Sequence, residues 1–302
     1  MKEDILRQLE EIVGVGQVKE QEPMALHTTF RIGGPADYYV TPMTVEQVVG
    51  VRKWCKDQQM PMTLVGNGSN LLVGDGGIHG VVMTLGGLND IRIEGTEVRA
   101  GAGVMLATLA AQTAKAGLSG LQYAGGIPGT LGGGITMNAG AYGGELKDNL
   151  TEVLLLTEEG EAVWVPAAEM ELGYRTSRIQ RTGEPVLAAA FRLQPGEPEQ
   201  ILAEIQEFNA RRREKQPLEY PSAGSTFKRP EGYFAGKLIQ DAGLAGYRVG
   251  DAQVSEKHCG FVINRGQATA AQVLELVRQV QDRVQEQFGV KLEPEIRMIG
   301  ER

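Results

Sequence analysis

The sequence predicts an α+β protein with two or three domains, and three observations predict it. Short apolar strands alternate with amphipathic helices, with no internal repeat of domain length. Glycine makes up 41 of 302 residues and concentrates in structured-looking stretches, not in low-complexity runs. A Pro- and Gly-rich break, Gln194-Pro195-Gly196-Glu197-Pro198, interrupts the pattern. Residues 1–196 therefore read as one region, with parts at about 1–85 and 86–196, and residues 197–302 as a second.

The elements follow in order. A helix over about residues 3–13 ends at Gly14. The stretch MALHTTFRIGGPADYYV reads as a loop, a turn at Gly33-Gly34-Pro35 and a strand. Thr44 is an N-cap for a helix carrying Val48, Val51, Trp54 and Cys55. The strands MTLV and GVVMTL flank GNGSNLLVGDGG, and EVRAGAG leads into a small-residue helix with Leu106, Leu109, Ala110 and Thr113 on one face. Strands EVLLLT, AVWV and VLAAAFRL alternate with polar turns. Beyond the break, Ile201, Leu202, Ile205 and Phe208 mark an amphipathic helix that ends in Arg211-Arg212-Arg213. A last helix over about 269–288 has the stripe Val273, Val277, Val280, Val284, Phe288 and is closed by Gly289.

Composition excludes several classes. No apolar run approaches the roughly 20 residues of a membrane span, and the N-terminus MKEDILRQLEEIV is acidic where a secretory signal is basic. A cytoplasmic protein is expected, with no membrane partner. Cys55 and Cys259 are far apart and in no metal-like spacing, so they read as reduced thiols; no metal site is expected from these and three scattered histidines. A net charge of −8 argues against a nucleic-acid partner. The charge is uneven: residues 211–302 carry 15 Lys/Arg and 12 Asp/Glu, while the first 210 carry 15 and 26. A basic C-terminal part suits an anionic small molecule.

Two glycine segments carry the functional reading. In Gly66-Asn67-Gly68-Ser69-Asn70-Leu71-Leu72, successive small residues expose backbone N–H groups in a concave anion nest, or else make a tight strand-to-strand turn. It is neither a P-loop nor a strand-to-helix G-x-G-x-x-G. The second segment, Gly125-Gly126-Ile127-Pro128-Gly129-Thr130 with Gly132-Gly133-Gly134, is expected to be neither a regular helix nor a regular strand. Leu131, Ile135, Met137 and Tyr142 are interleaved, which argues for order. A loop so poor in side chains suits a flat or charged ligand against the backbone, and two such loops favour a dinucleotide.

The segments FRIGGPADYYV, LVGNGSNLLVGDGGIHGVVM and GGIPGTLGGGITMNAGAYGGEL, followed in order by GYRTS, GSTFKRP, AGKLIQDAGLAGYRVGDAQVSEKHCGFVIN and LEPEIRMIG, resemble the UDP-N-acetylenolpyruvoylglucosamine reductase (MurB) family of peptidoglycan synthesis from about residue 23 onward. The resemblance implies a two-part FAD-binding region of the vanillyl-alcohol-oxidase-like (PCMH) type and a C-terminal α+β substrate domain. The short stretch from GYRTS to Val186 is similar to the compact type II subclass, which lacks an inserted substrate-clamping loop. It further implies noncovalent FAD, since GNGSNLL holds no His or Cys, with NADPH as electron donor. The expected substrate is UDP-N-acetylglucosamine enolpyruvate, and a monomer is expected. Cofactor contacts are expected from Gly66, Asn67, Gly68, Ser69, Asn70, Leu71, Gly125, Gly126, Ile127, Pro128, Gly129, Gly132, Gly133, Asn138, Gly140, Ala141 and Arg297.

Three residues would carry the chemistry. On spacing alone Arg175 is a surface or ion-paired arginine, Ser225 a turn or cap residue and Glu295 an exposed acid. The resemblance makes Arg175 the partner of the substrate carboxylate, Ser225 the proton donor to C2 and Glu295 the carboxylate that orients the enol-like intermediate. Arginine suits its role because it stays charged and binds carboxylates through two parallel hydrogen bonds. Arg297, two residues beyond Glu295, would share its strand face. Lys215, Arg229 and Lys257 are candidate substrate contacts, and ordinary solvated cations equally. Another flavin oxidoreductase of the same fold, or a nucleotide-binding module without activity, stays open on residues alone.

Overall fold

The computed structural model describes residues 2–302 and divides into two compact units. The first comprises the chain up to Glu20, Tyr38–Asn67 and Gly80–Arg212; the second comprises Gln21–Asp37, Gly68–His79 and Arg213–Arg302. No helix among the described residues is long and apolar enough to cross a membrane.

In the first unit the helices Lys2–Val13 and Val45–Asp57 pack together through Leu9, Val48, Val51 and Cys55, all buried. Thr44 caps the second helix, its Oγ1 accepting from the Gln47 N–H at 3.3 Å. Burial pushes the Cys55 thiol up to about 12, so it is a small apolar core group. The strand Met62–Val65 runs parallel to Ile78–Thr84, with Met62 opposite Val81.

The larger sheet of this unit is antiparallel, in the order Ala162–Pro166, Leu150–Leu156, Val186–Arg192, Glu97–Gly101, Ile91–Glu94. Period-2 alternation buries Val98 and Ala100 and exposes Glu97 and Arg99. The helix Leu106–Lys115 joins the same core through Leu106, Leu109, Ala110, Thr113 and Ala114.

The chain leaves the first unit later than the Pro-rich break suggests. The helix Pro198–Lys215 buries Ile201 and Ile205 in the first core, so the division falls after Arg212 and not at 196/197. A second departure concerns the glycine-rich run. Leu131-Gly132-Gly133-Gly134-Ile135-Thr136 is a short α-helix, preceded by a 3-10 turn over Gln122–Gly126. Three adjacent glycines oppose helix on propensity, but here packing wins. A Cβ on Gly134 would stand 3.0 Å from Leu146 Cδ1 and 3.1 Å from Leu106 Cδ1, and one on Gly132 3.1 Å from Ala102 Cβ. The missing side chains let the helix sit flush on the core.

The second unit has its own core, from Phe30 and Ile32 through Leu72 to Leu292. Its sheet is antiparallel in the order Ser222–Ser225, Phe261–Asn264, Ala252–Val254, Arg248–Val249. The helix Ala270–Phe288 covers it with Val273, Val277, Val280 and Val284 buried. A reciprocal Thr269–Gln272 capping box starts this helix and Gly289, at φ 69°, ends it. Asp75 reinforces the start: its carboxylate accepts from the Ala270 N–H at 2.7 Å and the Ala271 N–H at 2.9 Å. Leu71–Val73 pairs in parallel with Arg297–Ile299.

Many glycines serve this packing and not a ligand. A Cβ on Gly34 would lie 2.2 Å from the Asp75 carbonyl oxygen, and one on Gly74 1.8 Å from that of Glu301. Gly74→Ala is expected to cost about 1–3 kcal/mol of stability by overpacking, read as a lower urea midpoint with the slope unchanged. A pH effect is expected as well. His79 Nδ1 lies 3.1 Å from Asp37 Oδ2, and its Nε2 lies 3.3 Å from Glu301 Oε2. The hydrogen bond to Asp37, then the Glu301 charge, raise its pKa above the ordinary 6.5. A raised folded pKa gives stabilisation that is complete below the ordinary 6.5 and is lost as pH rises through the raised folded pKa. The melting temperature should therefore fall more across neutral pH in the wild type than in His79→Gln; equal slopes would refute the linkage.

Candidate active site

In the first unit the two glycine segments meet. A Cβ on Gly66 would stand 2.7 Å from Thr130 Oγ1 and 4.0 Å from Gly133 Cα, and Asn67 Nδ2 donates to the Pro128 carbonyl at 2.7 Å. At Gly133, which is exposed, a Cβ would meet only Thr130 Oγ1 at 3.6 Å. No protein packing requires a glycine there. A side-chain-poor surface open on one face is what a flat dinucleotide such as FAD needs for close approach, so the residues fit that group.

Arg175 stands on a tight turn in this unit. The N–H of Gly173 donates to the Thr176 carbonyl at 3.1 Å and that of Thr176 to the Gly173 carbonyl at 3.3 Å, leaving Tyr174 and Arg175 at the tip. Arg175 is held at φ 55°, a left-handed conformation that costs a side-chain-bearing residue about 1–3 kcal/mol. Neighbours fix it there. Gln180 Nε2 donates both to the Arg175 carbonyl and to that of Thr136, each at 2.9 Å, and Ser177 Oγ donates to the Thr136 carbonyl at 2.8 Å.

Asn138 completes this hold. Its Nδ2 donates to Glu145 Oε2 at 2.7 Å and to the Gly173 carbonyl at 3.1 Å, and its Oδ1 accepts from the Lys147 N–H at 3.1 Å. The side chain is 1% exposed. Expected as a cofactor contact, Asn138 has its amide committed inside the protein and ties the Arg175 turn to the glycine-rich helix. Lys147 first, then Asn138 and the Arg175 charge, hold the Glu145 carboxyl below its ordinary range against partial burial.

In the second unit Gly224, at φ 75°, sits in a register shift between Ser222 and Ser225. Such a bulge re-aims the next side chain, and Ser225 is exposed. The Glu295 N–H donates to the carbonyl of Thr226 at 2.8 Å, and Phe227 bridges Pro294. Asn70 grips the same segment on both sides of Ile296: Nδ2 donates to the Glu295 carbonyl at 3.1 Å, and its own carbonyl accepts from the Arg297 N–H at 2.9 Å. Ser225, Glu295 and Asn70 are thus brought together, while Arg175 belongs to the other unit. Glu295 precedes the strand Arg297–Ile299, so the strand alternation expected to place it on one face with Arg297 does not apply.

The basic candidates differ. Lys257 Nζ donates to the Arg213 carbonyl at 2.7 Å and lies 3.6 Å from Glu219, so its ammonium is held by its own chain. Arg229 lies over the Phe234 ring at 4.0 Å, and Lys215 is exposed. Arg212, outside the sequence candidates, faces inward. Its Nε and Nη1 are buried without a hydrogen-bond partner, and burial lowers its pKa. The sequence signal was the arginine triplet, in which nothing marks the inward member.

Known proteins identify the family. A family model described as UDP-N-acetylenolpyruvoylglucosamine reductase, C-terminal domain, matches residues 216–299, and one described as FAD binding domain matches residues 36–166. The UDP-N-acetylenolpyruvoylglucosamine reductase of Agathobacter rectalis is 56% identical over 299 residues, covering 93% of this chain and 94% of that one. That of Lachnoclostridium phytofermentans is 52% identical over 307 residues, covering 100% and 99%. The crystal structure of the Thermus caldophilus reductase superposes with a TM-score of 0.79 at 38% identity, over 91% of this chain and 97% of that one. With identity above one half along almost all of its length, an FAD-binding match in front and the reductase's own C-terminal domain behind, the chain belongs to the UDP-N-acetylenolpyruvoylglucosamine reductase family and is an FAD-dependent oxidoreductase.

Proposed function

We propose that the protein reduces UDP-N-acetylglucosamine enolpyruvate to UDP-N-acetylmuramate with electrons from NADPH, in the cytoplasm and as a monomer, in peptidoglycan precursor synthesis. The observation that carries this reading is the second unit's presentation of Ser225 on a bulge, with Glu295 hydrogen-bonded to the neighbouring Thr226. Binding a flavin requires neither residue; protonating a reduced enol ether requires a donor and a group to orient it.

Gly66, Asn67 and the segment from Gly125 to Ala141 would hold FAD noncovalently, and when bound it would supply hydride chemistry, drawn from NADPH, for addition at C3 of the enolpyruvyl group. Addition at C3 leaves an electron pair at C2, in conjugation with the carboxylate. Arg175 binds that carboxylate and balances the charge. Glu295 orients the enol-like group. Ser225 delivers its proton to C2, giving the lactyl ether. A hydroxyl is a poor acid in water, but proton transfer to a carbanion-like carbon is downhill. The exposure of Ser225 lets solvent return the proton to its alkoxide. Residues 213–302 serve the substrate in this reading, with Lys215 and Arg229 as contacts to its anionic groups.

The half-reactions test the reading. Anaerobic NADPH should bleach the flavin absorbance, and the enolpyruvyl sugar should restore it; bleaching without recovery would refute the substrate. Ser225→Ala should bleach at nearly the wild-type rate and recover at least about 100-fold more slowly. Equal losses in both halves would remove Ser225 from the proton-transfer role. Arg175→Gly relieves the left-handed strain, so it should melt no lower than the wild type while losing most of the sugar half-reaction. A large loss of stability instead would make Arg175 a structural residue.

A further inference from the structure

The short helix Ile179–Thr182 follows the Arg175 turn and carries Gln180. It is anchored by its own chain. Ile179 is buried in the first core, and the Arg178 N–H donates to the Met170 carbonyl at 2.8 Å. The Arg178 guanidinium meets both Glu184 oxygens, with Nη2 3.2 Å from Oε1 and Nε 3.2 Å from Oε2, a paired contact that fixes direction as well as distance. From this anchorage Gln180 presents one nitrogen to three acceptors. Its Nε2 lies 2.9 Å from the Arg175 carbonyl oxygen, 2.9 Å from that of Thr136 and 3.6 Å from Met137 Sδ. An amide nitrogen has two hydrogens, so the two carbonyls take both and the thioether flanks them.

Those two carbonyls belong to different parts of the site. Thr136 closes the helix Leu131–Thr136, whose outward Gly133 offers the bare surface that fits FAD. The last carbonyls of a helix have no partner within it; Gln180 Nε2 and Ser177 Oγ, the latter at 2.8 Å, satisfy this one from outside. Arg175 stands at the tip of its turn. The two hydrogen bonds between Gly173 and Thr176 fix the shape of that turn but not its direction. Direction comes from neighbours: Asn138 Nδ2 holds the Gly173 carbonyl, and Gln180 holds the carbonyl of Arg175 itself. One amide therefore spans from the arginine's own peptide group to the end of the glycine-rich helix, all within the first unit.

We propose that Gln180 is a positioning residue for the reduction: it sets the distance between the cofactor-bearing helix and the guanidinium that binds the substrate carboxylate. The role of Arg175 in this statement rests on the function proposed above; the hold on its turn does not. Transfer between two bound groups needs the reacting atoms about 3–3.5 Å apart, and a displacement of about 1 Å can cost about 100-fold in rate. A carboxylate gripped by Arg175 is placed only as well as Arg175 is placed. Its backbone at φ 55° lies above other conformations in energy, so loss of the amide lets the turn relax away from the helix.

Gln180→Met tests it, since the variant keeps the length of the side chain and removes both donors. In the full-length holoenzyme, bleaching by NADPH should stay within about 2-fold of wild type while recovery with the enolpyruvyl sugar slows by about 10- to 100-fold. Gln180→Lys, whose ammonium can donate to both carbonyls, should restore most of the recovery. In an Arg175→Met background the same Gln180→Met change should alter recovery by less than about 2-fold, because the group it positions is gone. A loss as large in that background, or an equal loss in bleaching, would make Gln180 a general packing residue and overturn the proposal. A second readout needs no sugar: trypsin cleavage at the Arg175–Thr176 bond, followed by fragment mass, should be about 10-fold faster in Gln180→Met and near wild type in Gln180→Lys. Equal cleavage rates would overturn the proposal whatever the substrate proves to be, whereas a wild-type flavin that stays bleached would refute the proposed function alone. Should Gln180→Met not fold, Gln180→Glu carries the same comparison, its carboxylate having the shape of the amide and no donor.

Discussion

Backbone in this protein repeatedly passes closer to backbone than a Cβ would permit, and the remaining structure depends on that approach. Gly34 and Gly74 meet carbonyls of Asp75 and Glu301 inside van der Waals range of a hypothetical side chain. Gly68, at φ 61°, does the same against His27. In the first unit Gly134 seats a short helix directly on Leu106 and Leu146, and the outward Gly133 then presents bare backbone. One constraint therefore produces both the packing and the flat surface that suits a dinucleotide. The abundance of glycine is divided between the two uses, and only the second concerns a ligand.

Side-chain amides do the next stage of the work. The Asn70 amide binds the backbone at Glu295, that of Asn138 binds Gly173, and that of Gln180 binds Arg175 and Thr136. In each case the amide grips backbone at or beside a candidate site residue. An amide suits this task because it can donate and accept at once without adding a charge of its own.

Where local physics decides, the chain was readable. The Thr44 cap, the stripe Val273, Val277, Val280, Val284 and the Gly289 stop all stand where periodicity and capping put them. Where distant contacts decide, it was not. The helix Leu131–Thr136 forms against its glycine content because Leu106 and Leu146 lie beneath it. Ile201 and Ile205 join the first core across the Pro-rich break, a preference no window of sequence contains. Asn138 and Asn70 drew notice as polar residues in glycine-rich motifs, but which backbone each would grip is a fact of tertiary structure. The same holds for Arg212, which is identical in kind to Arg211 and Arg213 and differs only in facing inward.

The interleaving of the chain between its units limits how this enzyme can be cut or recombined. A fragment beginning at Arg213 would lack Phe30, Ile32 and Leu72 of its own core, the strand Leu71–Val73 that pairs with Arg297–Ile299, and the Asp75 carboxylate on its longest helix. The C-terminal segment is therefore no cassette: grafted onto another flavoprotein or expressed by itself, it would carry an exposed apolar seam where residues from the first quarter of the polypeptide belong. Recombination that preserves the enzyme must move both stretches together, which ties the inheritance of Glu295 to that of Asn70.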